Sequence, residues 1–263
     1  MELKVDEAKW RVNANKGPPR TQTAAKNEEV RKQIEKMLPN GVVQESQAEY
    51  YSQVHLTPKP VHSLAPPTEQ TDGVIPLAVH IVVGWRFCVD FRALNAASEG
   101  MGWPIPNIPE MLRRLGDHKP KIFAKLDLTS GYHQAPLSMA SRVYTAFMTF
   151  RGLFEWCRVP MGLKGAPSYF QGVLVSTVLF GLIYTICELY IDDLIIHAQT
   201  EEEFLVNLEK VLKQLDKHKI NVNPDKCFFG LSEVEYVGHT INGNGLTFSR
   251  EKIDKVLQIN TPV

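Results

Sequence analysis

The chain has 263 residues, room for one large domain or two small ones. Its 44% apolar and 22% charged residues exclude a disordered composition, and Lys plus Arg balance Asp plus Glu at 29 each. A formal charge of zero excludes binding by bulk positive charge, but not a nucleic-acid enzyme whose basic groove is balanced by acidic surface elsewhere. The four cysteines (Cys88, Cys157, Cys187 and Cys227) lie far apart with no CxxC pair, which argues against a zinc knuckle and fits reduced thiols. The N-terminus is not a signal peptide. The longest apolar stretch, 173–187, is shorter than the roughly 18 residues of a spanning helix and carries Ser176, Thr177 and Thr185, so it reads as buried core.

In chain order, residues 1–25 read as a polar tail broken by Gly17, Pro18 and Pro19. Val30, Ile34, Met37 and Leu38 stand at helical spacing within 26–38, and Asn40-Gly41 ends that helix. YYSQVHLTPKP (50–60) is strand-like. Residues 61–84 begin as a proline-rich polar loop and end as an apolar run. WRFCVDF (85–91) alternates Trp85, Phe87, Val89 and Phe91 with Arg86, Cys88 and Asp90, a strand pattern. A short helix is predicted over 107–116, and KIFAKLDL (121–128) is a buried strand ending at Asp127. RVYTAFMTF and LFEWCRV around Arg151-Gly152 have the shape of a hairpin. MGLKGAP (161–167) is a loop, with Pro167 suited to the first turn of a helix over 168–182. ICELYIDDLIIHA (186–198) is two strands around Asp192-Asp193. Residues 201–220 form a helix with Phe204, Leu205, Leu208, Val211, Leu212 and Leu215 on its apolar face. EVEYVGHTI (233–241) is one strand, and FSREKIDKVLQI (248–259) begins a helix capped by Ser249. Strand, helix, hairpin, helix and strand in this order suggest a split βαβ sheet.

The carboxylates carry the chemistry. In one continuous strand, Asp192 and Asp193 would point to opposite faces and one would be buried at a cost of several kcal/mol. A tight turn at the pair avoids this, although a solvated Asp-Asp turn needs no function. Asp127 alone reads as well as a turn or cap residue. If the two segments are neighbouring strands, three carboxylates converge on one edge, and hard divalent cations are the usual counter-charge. Two such ions can activate a hydroxyl and stabilise a leaving pyrophosphate.

Six segments then stand in the order of one family. WRFCVDFRALN, KLDLTSGYHQ, MGLKGAPSYFQ, YIDD, NVNPDKCFF and VEYVGHTI resemble the motifs of the reverse transcriptase domain of gypsy-type long-terminal-repeat retrotransposons, and more distantly retroviral reverse transcriptase. The resemblance covers about residues 27–259 apart from 61–84. It implies an α+β fold, a right-hand polymerase with fingers and an antiparallel palm sheet of split βαβ type with helices on one face, and a truncated thumb. By position it implies fingers over 26–102 and 135–164, palm over 103–134 and 165–243, and the start of a thumb over 244–263. Asp127 and Asp192 match the aspartates that hold two Mg2+ ions (Mn2+ as possible substitute). Asp193 matches a weaker third carboxylate, and the Leu128 carbonyl an extra ligand. Lys226 matches a lysine proposed to protonate the leaving pyrophosphate. Lys59, Arg86, Tyr132, Met161 and Gly162 match nucleotide-binding positions; the Tyr132 ring leaves no room for a 2′-hydroxyl. Lys164, Pro167, Tyr190, Ile191, Tyr236, Val237 and Gly238 match template and primer positions. Arg113, Arg114, Lys119, Lys121 and Lys125 are candidate phosphate contacts; a solvated face suits them equally, and all eight histidines read as structural or surface groups.

The implied function is RNA-directed DNA synthesis from dNTPs on a primed RNA or DNA template. The implied setting is a polyprotein whose RNase H and integrase segments are missing here, cytoplasmic in a virus-like particle or nuclear, with no membrane. Two features depart from the pattern: about two dozen residues join the LTPKP and WRFCVDF strands where a few are usual, and the chain stops in the first thumb helix. A non-catalytic remnant that at most binds nucleic acid therefore stands as the alternative. The long connection is expected to blur the geometry of Lys59 and Arg86.

Overall fold

A computed structural model of the chain describes residues 1–59, 84–100 and 102–248. The expected insertion, but for Gly84, and the expected thumb helix, but for Phe248, lie outside them. The elements are α1 (Glu7–Trp10), α2 (Ala24–Met37), β1 (Val43–Glu45), β2 (Ser52–Pro58), β3 (Trp85–Val89), α3 (Arg92–Ala97), α4 (Ile108–His118), β4 (Ile122–Asp127), α5 (Met139–Arg142), β5 (Phe147–Thr149), β6 (Gly152–Trp156), α6 (Ala166–Val173), β7 (Cys187–Tyr190), β8 (Asp193–Ala198), α7 (Glu201–Lys217), β9 (Phe228–Leu231), β10 (Glu233–Tyr236), β11 (His239–Asn242) and β12 (Gly245–Phe248). They gather into two compact units: Met1–Glu99 with Pro136–Leu163, and Gly100–Ala135 with Lys164 onward.

The first unit rests on a sheet ordered β1-β6-β5-β2-β3, antiparallel except for the β2–β5 pair. Ser52, Val54 and Leu56 bury one face of β2. Phe87, Phe147 and Trp156 meet with ring centroids 5.6–6.4 Å apart, the spacing of favourable aromatic pairs. Thr23 caps α2, and Val30, Ile34 and Met37 form its buried stripe. The expected hairpin is shorter than its apolar run. Val143–Thr145 is a 3-10 turn, because the Thr145 hydroxyl donates to the Arg142 carbonyl and accepts from the Trp156 N–H, replacing strand pairing there.

Residues 1–25 are not a free tail. Met1 and Trp10 are buried, the Asp6 N–H donates to the Ala97 carbonyl at 2.7 Å, and the Met1 amine donates to the Pro136 carbonyl at 2.6 Å. A four-residue helix is too short to show a period, so one tryptophan in a charged stretch does not announce its burial.

The second unit holds an antiparallel sheet ordered β7-β8-β4-β9 and a ribbon of β10, β11 and β12. Asn107 caps α4 and Thr200 caps α7. β4 and β8 pair from Ile122↔Ala198 to Asp127↔Asp193, and opposed residues share a face. Phe123, Lys125 and Asp127 therefore stand with His197, Ile195 and Asp193. Below the aspartates, Phe123 and Ile195 pack on Met111, Leu112 and Leu115 of α4 and on Val234, Tyr236 and Ile241 of the ribbon. The opposite face is also buried, at Ala124, Leu126, Leu194 and Ile196.

Three sequence expectations differ here. EVEYVGHTI is two strands, broken by Val237 (φ 48°) and Gly238 (φ 72°). The helix expected over 168–182 is regular only to Val173 and continues as a wider turn over Leu174–Val178, where the Ser176 hydroxyl donates to the Gly172 carbonyl. On α7, Phe204, Asn207, Val211 and Leu215 are buried, while Leu205 and Leu212 are exposed.

Because Trp10 is 2% exposed, we predict that Trp10→Ala lowers stability by about 3 kcal/mol. Urea unfolding monitored by circular dichroism checks this; a change within about 0.5 kcal/mol would restore the polar tail.

Candidate active site

Strand pairing builds the site. Asp127 and Asp193 end β4 and β8 directly opposite each other, and Tyr190 pairs with Asp193, leaving Ile191 and Asp192 as a two-residue turn. The turn thus falls one residue earlier than the Asp-Asp pair: Asp192 is at the tip and Asp193 is already in the strand. Ile191 has φ 61°, a region that costs a β-branched residue of order 1–3 kcal/mol. Gln171, fully buried on α6, holds this turn from below. Its Oε1 accepts from the Ile191 N–H at 2.7 Å, and its Nε2 donates to the Leu189 carbonyl at 3.2 Å.

On the other side of β4, residues 221–223 add to the strand. The Thr129 N–H donates to the Asn221 carbonyl and the Asn223 N–H to the Asp127 carbonyl. Gln134 reinforces this junction, donating to the Thr129 and Asn221 carbonyls and accepting from the Asn221 N–H. The bridge uses the Asp127 carbonyl and the Thr129 N–H rather than the Leu128 carbonyl. Asn223 then caps the Pro224–Lys226 turn, which sets the Lys226 Nζ 3.7 Å from an Asp127 oxygen.

The three acids differ in environment. Asp127 faces Lys226, and Asp193 faces the Lys125 Nζ at 3.5 Å. The Asp192 carboxyl is pushed above its ordinary range, first by partial burial and then by the charges of Asp193 and Asp127, against its own N–H and Lys226. Asp192 is nevertheless exposed at the tip, so solvent screens much of this penalty. Among the described residues, no three His, Cys, Asp or Glu side chains stand close enough to hold one metal ion. The expected convergence is corrected to this extent: the backbone brings Asp127, Asp192 and Asp193 to one sheet end, but their side chains do not surround a common point. Without a cation the three charges repel, and two lysines engage two of them. The donor chemistry still fits a hard divalent cation, because every donor is an oxygen and the charge on Asp192 is unfavourable as it stands.

Tyr132 follows Gly131 and meets Phe170 edge-on at 5.5 Å. Burial and then the charge of Asp192 raise its phenol, keeping it neutral at pH 7. A Cβ on Gly131 would lie 3.0 Å from the Phe170 ring and 3.6 Å from the Asp192 Cβ, so a glycine there permits the close approach. Tyr236 is buried, and its hydroxyl donates to the Asp193 carbonyl at 3.3 Å. Val237 and Gly238 form the turn beyond it, Tyr190 is partly buried against the core, and Lys164 and Pro167 flank the start of α6. Lys59, Arg86, Met161 and Gly162 belong to the first unit. There Arg86 pairs with Thr57, and the Lys59 N–H donates to the Gly84 carbonyl at 2.9 Å. Lys59 and Arg86 are thus diagonal neighbours on one face of the hairpin. The long connection does not blur this ladder, which is intact to its last pair.

Several candidate phosphate contacts are already engaged. Arg113 pairs with Glu110 and Asp117, and Arg114 grips the buried Glu188 through two bonds at 2.8 and 2.9 Å. Gln171 and Gln134 were legible only as parts of motifs, and Lys125 only as a candidate phosphate contact, where the structure sets it beside Asp193. An amide inside the apolar segment SYFQGVLV is the signal that singles out Gln171.

These features define a polymerase palm. The family model described as "Reverse transcriptase (RNA-dependent DNA polymerase)" matches residues 80–241, and the chain belongs to that family. It is 32% identical over 234 residues to the retrovirus-related Pol polyprotein from transposon opus of Drosophila melanogaster, covering 89% of this chain and 21% of that one. It is 31% identical over 263 residues to the polyprotein from transposon 412 of the same organism, covering 100% and 19%. With the polyprotein from transposon gypsy it shares 37% over 177 residues, covering 67% and 17%. The chain thus spans about a fifth of the length of the curated relatives it matches. Among solved structures, the foamy viral protease-reverse transcriptase in complex with RNA/DNA hybrid matches with a TM-score of 0.74 at 24% identity, over 96% of this chain and 31% of that one. The same viral protein in complex with dsDNA matches with a TM-score of 0.74 at 23% identity, over 98% and 49%. The fold is that of a reverse transcriptase.

The clamp under the turn generates a prediction. Gln171→Leu leaves the Ile191 N–H and the Leu189 carbonyl without their partner, and stability should fall by about 2–3 kcal/mol. Denaturant titration measures the loss, and an unchanged midpoint would show that the turn holds itself.

Proposed function

We propose that this chain is the RNA-directed DNA polymerase domain of a retrotransposon polyprotein, adding deoxynucleotides from dNTPs to a primer 3′-hydroxyl on an RNA or DNA template. The observation that carries the reading is the opposition of Asp127 and Asp193 at the end of the central strand pair, with Asp192 at the adjoining turn. Asp127 and Asp192, assisted by Asp193 and the Leu128 carbonyl, are the residues that would hold divalent cations, Mg2+ with Mn2+ as a substitute. Such ions lower the pKa of an attacking hydroxyl and stabilise a leaving oxygen.

The chain's own residues supply the rest. Lys226, exposed beside Asp127, is a cationic proton donor for the leaving pyrophosphate. Tyr132, braced edge-on by Phe170, excludes a 2′-hydroxyl by its bulk. Arg86 and Lys59 bind the triphosphate, the guanidinium by forking onto phosphate oxygens. Met161 and Gly162 complete the nucleotide contacts. Lys164 and Pro167 face the template, and Tyr190, Ile191, Val237 and Gly238 the primer; the Tyr236 ring, expected there too, is wholly buried and supports that turn from the core. The domain works within a polyprotein carrying RNase H and integrase segments, in a cytoplasmic particle or the nucleus. Among the described residues, no helix is long and apolar enough to cross a membrane.

Primer extension by the purified chain on a primed RNA template tests the reading. We expect synthesis with Mg2+ or Mn2+, none in chelator, and a loss of at least about 100-fold in Asp192→Asn, which removes a ligand charge without changing shape. Tyr132→Ala should admit ribonucleotides more readily. A folded chain that binds primed template but extends nothing would support the non-catalytic alternative, and an unchanged ribo- to deoxynucleotide ratio would remove Tyr132 as the gate.

A further inference from the structure

We propose that the exposed leucine stripe of α7 is the surface on which a second copy of this chain packs, the two α7 helices lying antiparallel. No residue of α7 belongs to the aspartate site, so the pairing stands independently of the polymerase reading.

Helix α7 carries more apolar residues than it buries. Phe204, Asn207, Val211 and Leu215 face the core. A second stripe, Leu205, Leu208 and Leu212, runs beside the first at the i, i+3, i+7 spacing of a helix-pairing seam. Leu205 is 65% exposed and Leu212 37%, and Leu208 between them is half-buried. Glu209, Lys213 and Asp216 border the stripe. One exposed leucine is ordinary on a protein surface, but three in register on one helix make a continuous apolar strip rimmed by charge.

The charges point to what covers it. The helix begins with Glu201, Glu202 and Glu203 and carries Lys213, Lys217 and, just past its end, Lys219. Such a helix is complementary to itself turned end for end, and its dipole favours the same pairing. Two copies side by side in parallel would set acid against acid and base against base. With Leu205 of each copy against Leu212 of the other, a rise of about 1.5 Å per residue brings Glu201 and Glu202 beside the second copy's Lys213 and Lys219. Glu201 and Glu202 have no ion-pair partner among the described residues. The acids that this register leaves near other acids are already engaged: Lys219 holds Asp216 at 3.1 Å, and Lys213 holds Glu209 at 2.7 Å. A helix of 17 residues is about 25 Å long, and one helix pair buries less than the roughly 1,200 Å² of a stable interface. The pairing is therefore reversible and concentration-dependent.

Sedimentation equilibrium of the full chain, from about 1 to about 200 µM, tests this. We expect a monomer–dimer equilibrium that weakens as salt is raised. Leu205→Glu places a charge in the stripe at an already exposed position and should weaken the dimer at least about tenfold. Glu202→Lys and Lys213→Glu should each weaken self-association by about threefold or more, because each sets like charges together across the pair. Mixed with each other, these two variants should associate within about twofold of the parent, since every altered charge then meets its opposite. That restoration is particular to antiparallel pairing of α7, and it can be read even if Leu205→Glu does not fold. A parent that stays monomeric throughout, whatever else covers the stripe, would overturn the proposal. So would a dimer indifferent to Leu205→Glu in a variant whose circular dichroism matches the parent, or a mixture no tighter than its two components.

Discussion

Two aspartates directly opposite each other on paired strands repel, and a third on the adjoining turn adds to the strain. Much of the second unit can be understood as the structure that tolerates this placement. Lys226 reaches Asp127 because residues 221–223 extend the sheet and Asn223 caps the turn before it. Lys125 reaches Asp193 from within β4. Asp192 is left at the tip, where water offsets its charge, and Gln171 holds the backbone that puts it there. Removing the repulsion would make these arrangements unnecessary, which is the sense in which the site precedes its supports.

The supports are anchored in an apolar layer that takes no part in the chemistry. Ile195 lies two residues below Asp193 and Phe123 four below Asp127 on the same face, packed by α4 and the ribbon. Because strand side chains alternate with period two, one register fixes both these buried apolar residues and the part-buried acidic pair. A slip of one residue would turn Asp193 toward the opposite, wholly apolar face and take Ile195 out of its packing on α4 and the ribbon. The burial of the apolar layer therefore enforces the geometry of the acids, although neither Phe123 nor Ile195 touches a reacting group.

What the sequence makes legible follows from the range of each interaction. β4, the β7–β8 pair and α7 announce themselves through local apolar runs and caps, and six ordered motifs identify the family. The polar tail fails as a reading because its anchors are distant in sequence: the Asp6 N–H donates to the Ala97 carbonyl and the Met1 amine to the Pro136 carbonyl, and Trp10 is buried. EVEYVGHTI reads as one strand because apolar alternation is blind to a valine at φ 48°. On α7, Leu205 and Leu212 fit the helical stripe as well as Asn207 does not, yet Asn207 is buried because its amide donates to the His197 carbonyl. The partners of the two lysines beside the aspartates escape for the same reason: Lys226 and Lys125 stand out as candidate leaving-group and phosphate contacts, but a charge in a motif carries no mark of which partner it will find.

The long connection between β2 and β3 shows how separately the two kinds of information are stored. Its ends are fixed by a ladder running from Val54↔Val89 to Pro58↔Trp85 and extended by the Lys59–Gly84 hydrogen bond. Those bonds set the register of Lys59 and Arg86 without reference to what lies between them. The entropy of closing a loop grows only as about (3/2)RT ln n, so each doubling of its length costs about 0.6 kcal/mol. That is less than the packing of Val54, Leu56 and Phe87 contributes to holding the same strands together. A connection several times the usual length can therefore stand between two residues whose relative placement it does not determine, and the place to look for that placement is the ladder rather than the loop.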